Sequence, residues 1–309
     1  MSTDFHSLEH LACAWCGDGM DILPDQAAGE CKRCGRDYVL EGNLLSWNVG
    51  QRDSARQKRP VLPLLMRQLS PTSSRLSPLR LLTDWRVNQY YRRALNDMEL
   101  AGEWSRHNLD GLKLSQGAAV LDHGCGRGRH SAFLRNLGFR VSAQDIFQHS
   151  WWRELPDCFF QNVPADATHL PWRDGSFALV FDFGVIHYLT DSQLTAFIAE
   201  VFRVLAPGGY WILIEPNDES YGVSTMTKII GRLHSLRSVR DRVEKSGFKE
   251  LDISYEGFFA PALPLYVDFI RKTLSHHPYD VNDFRSSFAA RIPPVHRKHW
   301  RLRMVKPGN

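Results

Sequence analysis

The sequence predicts an α/β protein: a Rossmann-like doubly wound sheet preceded by a small cysteine-bearing ribbon. Three observations carry that expectation. Strand-like apolar runs alternate with amphipathic helical runs from residue 118 onward, a glycine-rich loop follows the first of those strands, and two Cys-x-x-Cys pairs lie within residues 11–46.

Length and composition bound the rest. A chain of 309 residues accommodates one large domain plus a small module. Hydrophobic residues at 43% and charged residues at 23% are ordinary for a globular protein, and no run of about 18 apolar residues suggests a membrane span. The opening MSTDFHSLEH has no apolar export region, so a cytoplasmic location is expected. A net charge of +4 does not by itself point to nucleic acid.

The ribbon comes first. Cys13 and Cys16 form one knuckle, and after fourteen intervening residues Cys31 and Cys34 form another, with Gly17 and Gly35 directly behind them. Such turns direct four thiolates to one tetrahedral point, which predicts a closed, structural zinc site. The ribbon is assigned to residues 1–47. Residues 48–82, rich in Arg, Ser and Pro, read as a linker, and residues 83–309 as the main domain. That domain opens with a helix from Thr83 to Leu109, on which Trp85, Leu95, Met98 and Trp104 recur at helical spacing. Tyr90, Tyr91 and Arg92 on it are candidates to close over a pocket.

AAVLDHG, FRVSAQD, FALVFDFG and GYWILIEP are predicted strands. RHSAFLRNLG, DSQLTAFIAEVFRVL and SVRDRVEKSG are predicted helices. Ligands of a doubly wound sheet sit beyond the carboxyl ends of its strands, which is where the loop of VLDHGCGRGRH falls. A dinucleotide fingerprint would need glycine or alanine at position 129, where this chain has Arg129. The loop instead reads Asp122, Gly124, Gly126, Gly128 at alternate positions. An acid at its mouth disfavours a pyrophosphate and suits a ligand with a cationic end, as S-adenosylmethionine has.

VLDHGCGRGRHSAFL resembles motif I of the class I S-adenosylmethionine-dependent methyltransferases, and the resemblance runs in order over residues 85–307. It implies a seven-stranded sheet. It also implies that Asp145, at the end of VSAQD, binds the ribose hydroxyls, that Asp166 takes the adenine amino group, and that the Ala167 backbone meets the ring edge. Asp122, Gly124, Cys125, Gly126, Gly128 and Asp182 complete the expected cofactor set, although Cys125 also reads as a packing residue. FRVLAPGGYWILIEP matches the fifth-strand block, SVRDRVEKSGFKELDISYEG the last helix and sixth strand, and HWRLRMVKP the closing strand. Residues 257–295 are left as an insertion. The chain departs from many members at Ala178, where an acid is common, and it lacks the N/D-P-P-Y motif of amino-methylating relatives.

His187, in GVIHYL just past the fourth-strand block, and Glu215, after the fifth, are the candidate bases for a hydroxyl or other protonated acceptor. The ribbon is similar to those of tRNA-methyltransferase activator subunits and rRNA guanine-N1 methyltransferases, which keeps RNA as a possible substrate, and the basic runs at 56 and 296 suit phosphate. The apolar, proline-bearing insertion GFFAPALPLYVDFIRKTL suits the roof of a small-molecule pocket, and a small-molecule acceptor is favoured. A non-catalytic binding or activator protein is the remaining alternative.

Overall fold

Strands form where apolar residues run uninterrupted or alternate, and the computed structural model describes them over residues 5–20, 22, 27–47, 98–163, 169–219, 233–256 and 299–308. The ribbon contributes β1 (Ala28–Glu30), β2 (Asp37–Glu41) and β3 (Leu44–Trp47). The main domain contributes β4 (Ala119–His123), β5 (Arg140–Asp145), β6 (Phe159–Asn162), β7 (Phe177–Phe183), β8 (Leu205–Pro216), β9 (Lys249–Glu256) and β10 (His299–Val305). The helices are α1 (Met98–Asn108), α2 (Arg129–Asn136), α3 (Asp191–Val204) and α4 (Leu236–Lys245).

The ten strands among the described residues belong to one sheet, in the order β1-β2-β3-β6-β5-β4-β7-β8-β10-β9. The run β6-β5-β4-β7-β8 is parallel, and β10 is antiparallel between β8 and β9. The chain order reverses between β4 and β7, so a crevice opens at the carboxyl ends of those two strands. The seven main-domain strands match the expected sheet. The ribbon continues it, because β3 pairs in parallel with β6 from Leu44 against Phe160 to Ser46 against Asn162.

The pleat sorts side chains onto two faces. Val120, Leu179, Phe181 and Ile212 pack with Ala132 and Leu134 of α2. Val180, Trp211 and Leu213 pack with Leu194, Phe197, Ile198 and Val201 of α3, and with Val239 and Val243 of α4. α3 begins at a capping box in which Thr190 and Gln193 satisfy each other's amides, and its buried residues recur every three or four positions. The ribbon residues Leu8, Leu11, Met20 and Trp47 share this second core with Trp172 and Phe177, so the ribbon is packed against the main domain on the α3 face.

The linker at 48–82, Tyr90, Tyr91, Arg92, the adenine-contact candidates Asp166 and Ala167, and the insertion at 257–295 lie outside the described residues. Among the described residues, no helix is long and apolar enough to cross a membrane.

Candidate active site

The glycine loop leaves β4 with Gly124, Gly126 and Gly128 all in the left-handed region, at φ of 64°, 53° and 87°. At Gly124 the close packing is decisive. A Cβ there would stand 2.4 Å from Val185 Cγ2, so the loop after β7 lies directly against the glycine loop. At Gly126 the surroundings are the opposite: among the described residues nothing lies within 4 Å of where a Cβ would be, and that stretch of backbone is left open to a ligand.

Asp145 pins this loop from the end of β5. Its Oδ2 accepts from Gly126 N at 2.8 Å and its Oδ1 from Phe147 N at 2.9 Å, and it is only partly buried. Trp152, in a 3-10 turn (Ser150–Glu154), donates its indole N–H to Gly126 O at 2.8 Å and stacks on Phe160. Nothing local in the motif signals Trp152, because its partner lies 26 residues earlier. Ile146 and Phe147, beside Asp145, are 45% and 48% exposed, and Tyr188, past β7, is 52% exposed. They lie at the carboxyl ends of β5 and β7, the end of the sheet at which doubly wound folds bind ligands.

Asp122 does not stand at the mouth of the loop as expected from its position in the motif. It is 1% exposed and accepts from Ser131 Oγ at 2.6 Å, so it ties β4 to the first turn of α2 beneath the loop. Burial pushes its carboxyl up to about 7 against the Ser131 hydrogen bond, and neighbouring Asp182 adds to the rise. Its folded pKa therefore lies above the ordinary 3.8, and the stability tied to holding its proton is complete below that value and lost as pH rises to 7. Relative to wild type, Asp122→Asn is expected to gain on the order of 4 kcal/mol of unfolding free energy between pH 4 and pH 7. Urea melts across that range check it, and parallel pH profiles would contradict it.

Asp182 likewise offers no oxygen to the cleft. It is 0% exposed, with His123 Nδ1 at 2.5 Å from Oδ1 and the Trp211 indole N–H donated to Oδ2 at 2.6 Å. The pleat explains this: Asp182 pairs with His123 in register and shares the α3 face with it, whereas Asp122 sits opposite Phe181 on the α2 face. Cys125 is buried in the α2-side core and its thiol is raised well above the ordinary range, first by burial and then by Asp122, so it packs rather than reacts. His130, also buried, takes a hydrogen bond from Arg129 at its Nε2, and burial together with that guanidinium holds it neutral.

His187 and Glu215 meet. His187 Nδ1 lies 2.8 Å from Glu215 Oε2, while Glu215 Oε1 accepts from the amides of Val185 at 2.6 Å and Ile186 at 2.8 Å. Glu215, 2% exposed, is thus fully engaged and is no free base. Glu215 engages the ring at Nδ1, so Nε2 is the ring nitrogen that this carboxylate leaves unengaged. Val185 touches Gly124, so the pair stands beside the glycine loop across the switch point.

The four cysteines form a second centre. Their Sγ atoms all lie within 4.8 Å of one another, with Cys13 to Cys34 at 3.5 Å and Cys16 to Cys31 at 3.6 Å. The knuckles are built alike: Gly17 N donates to Cys13 O and Gly35 N to Cys31 O, and both glycines have φ of 68°.

Comparison with known proteins places the glycine loop in a family context. Residues 121–213 match the family model described as "Methyltransferase domain". The chain is 32% identical to an uncharacterized methyltransferase of Synechocystis sp., over 39% of this chain and 58% of that protein. It is 37% identical to a demethylmenaquinone methyltransferase of Beutenbergia cavernae, over 36% of this chain and 46% of that one. It is 34% identical to a malonyl-(acyl-carrier protein) O-methyltransferase of Erwinia billingiae, over 30% of this chain and 37% of the relative. The chain thus spans between 37% and 58% of the length of these curated relatives. Residues 121–213, which hold the glycine loop, Asp145 and His187, are similar to methyltransferase domains and are set in a Rossmann-like class I methyltransferase fold extended by an N-terminal cysteine ribbon.

Proposed function

We propose that this protein is an S-adenosylmethionine-dependent methyltransferase acting on a small-molecule acceptor by O- or N-methylation. The observation that carries the reading is the glycine loop, open at Gly126, pinned by the partly exposed carboxylate of Asp145 and flanked by the exposed Ile146 and Phe147. A loop accessible through its backbone suits the methionine end, a strand-end carboxylate suits two ribose hydroxyls, and an apolar flank suits the adenine face. Asp166 and Ala167 are assigned to the adenine edge on the motif resemblance. When bound, S-adenosylmethionine supplies an electrophilic methyl group on a sulfonium.

The chain's own residues then hold the acceptor and take a proton where there is one to take. Fixing two reactants in a near-attack geometry supplies most of the rate. Glu215 is the positioning residue, since it fixes the backbone at 185–186 and the tautomer of His187. His187 Nε2 is the proton acceptor for a hydroxyl or a protonated amine. His187→Ala is expected to lower methyl transfer to such an acceptor by about 10²- to 10⁴-fold and to leave S-adenosylhomocysteine affinity unchanged. A parallel loss of affinity would place His187 in cofactor binding instead.

The cysteine centre fits zinc. A tetrahedral site with Zn–S of about 2.3 Å needs sulfur separations near 3.8 Å, and the thiols already stand within that reach of one another. The ligand set is closed, so the metal would be structural. Cys31→Ser is expected to lower zinc content below one equivalent by metal analysis and to destabilise the ribbon, and full retention of zinc would show the site misassigned.

The acceptor class is tested by incubating the protein with methyl-labelled S-adenosylmethionine and fractionated cell extract. Label in the low-molecular-weight fraction supports this reading. Label confined to RNA overturns it, and would be consistent with the exposed Lys32 and Arg33 on the second knuckle serving as phosphate contacts.

A further inference from the structure

We infer that Trp152 is a positioning residue of the cofactor loop, and that the ribbon acts on the same loop through Asn43, which holds the turn that carries Trp152. The inference rests on the methyltransferase reading above, and within it on the glycine loop. A loop with Gly124, Gly126 and Gly128 all left-handed has much backbone freedom to lose on ordering, so a ligand binds it more tightly when the protein has already fixed it. Gly126 is fixed at both ends. Its N–H donates to Asp145 Oδ2 at 2.8 Å, and its carbonyl accepts from the Trp152 indole N–H at 2.8 Å. The peptide from Gly126 to Arg127 is trans and planar, so a carbonyl aimed at a buried indole turns the Arg127 N–H to the opposite side. Asp145 thus orients the peptide before Gly126, and Trp152 the peptide after it.

Trp152 belongs to a shelf beneath the loop. It stacks on Phe160 with ring centroids 4.9 Å apart and planes within 10° of parallel. Leu155 and Phe160 carry the far end of the loop, since a Cβ on Gly128 would stand 3.1 Å from Leu155 Cδ1 and 3.5 Å from Phe160 Cζ. From Trp152 to Cys158 the chain turns on its own bonds, with Leu155 N donating to Trp152 O and Cys158 N to Leu155 O. The regular structure between β5 and β6 is one 3-10 turn, so the place of this shelf depends on what grips it from outside.

That grip comes from the ribbon. Asn43, in the turn between β2 and β3, donates through Nδ2 to Leu155 O at 3.0 Å and to Cys158 O at 2.7 Å, and its own carbonyl accepts from Phe160 N at 2.8 Å. An asparagine suits this place because its NH₂ carries two donors that can serve two carbonyls at once. Three bonds from one residue span the turn behind Trp152 and fasten it to the strand on which Trp152 stacks. The path from ribbon to cofactor loop therefore has two steps, from Asn43 to residues 155–160 and from Trp152 to Gly126. Asn43 is no part of the cysteine centre, so its side chain can be removed with the metal ligands intact.

The test is a double-mutant cycle on the zinc-loaded chain, read as S-adenosylhomocysteine affinity by calorimetry, with zinc content from metal analysis and the fold checked by circular dichroism. Trp152→Phe keeps an aromatic ring on Phe160 and removes the indole donor. Among the described residues, Gly126 O then keeps the Cys125 thiol at 3.8 Å alone. Binding is expected to weaken by about 3- to 10-fold, the worth of one hydrogen bond. Asn43→Ala is expected to weaken it by about 3-fold at full zinc content and, because both side chains act through one turn, to cost the Trp152→Phe protein little more. A merely structural Trp152 would lower the melting temperature and leave the affinity where it was. Wild-type affinity in Trp152→Phe therefore overturns the inference and leaves the methyltransferase reading standing. Wild-type affinity in Asn43→Ala, or effects that multiply in the double variant, overturns the ribbon's part. No binding to the wild-type protein defeats both the reading and the inference. Should Trp152→Phe fail to fold, Asn43→Ala decides: severalfold weaker binding at full zinc content supports the path, and unchanged affinity overturns it.

Discussion

Asp145→Ala is expected to weaken S-adenosylhomocysteine binding by about 10²- to 10⁴-fold. The substitution removes a carboxylate assigned to two ribose hydroxyls, and hydrogen bonds to a charged group are each worth about 1.5–3 kcal/mol. It also releases the Gly126 amide, which Asp145 Oδ2 holds at 2.8 Å, so the open stretch of the glycine loop loses its anchor. Asp145→Asn keeps one good acceptor and is expected to fall between the two. Calorimetric titration of the variants, with circular dichroism to show the fold intact, checks the order. Wild-type affinity in Asp145→Ala would remove Asp145 from the site.

Glu215→Ala carries the second large effect, on stability as well as on rate. It leaves the amides of Val185 and Ile186 and the imidazole N–H of His187 without their carboxylate, in a site where Glu215 and His187 are both buried. Each buried donor left unsatisfied costs about 1–3 kcal/mol, so the melting temperature is expected to fall by roughly 10 °C. Glu215→Gln separates the two roles. Its amide oxygen still accepts from the backbone, but its NH₂ turned towards His187 forces Nδ1 to accept and moves the ring proton to Nε2. The prediction is a melting temperature near wild type with methyl transfer reduced by about 10²-fold or more. Wild-type rates in Glu215→Gln would show that His187 takes no proton in the reaction.

The structure shows why some of this was readable in the chain and some was not. β7 and the second half of β8 are buried on both faces and appear as apolar runs, and the left-handed glycines after β4 have few alternatives to glycine. The placement of Asp145 against the glycine loop was legible because it depends on one strand end and one loop. Asp182 was misread because an acid near a strand end looks alike from either face of the pleat. Only its register with His123 and its bond to Trp211 reveal that it points into the α3 side. Glu215 was found but given the wrong part, since its three donors lie 28 to 30 residues away. The docking of the ribbon was invisible for the same reason. The pairing of β3 with β6 and the bond from Trp47 Nε1 to Gln161 span more than a hundred residues and leave no local trace.

The ribbon's incorporation into the sheet also bears on what it does. Trp47 donates to Gln161 on β6, and Asn43 donates to Leu155 O and Cys158 O just before it. The ribbon therefore covers the edge of β6 that would otherwise expose unpaired backbone, a protective role that holds whatever the acceptor is.

The central claim, that the glycine loop and Asp145 form a site for S-adenosylmethionine, is tested most directly by titrating the zinc-loaded protein with S-adenosylhomocysteine in a calorimeter. The account predicts saturable binding at one equivalent per chain, abolished or reduced at least about 100-fold by Asp145→Ala. No heat of binding, or binding that Asp145→Ala leaves unchanged, would contradict it.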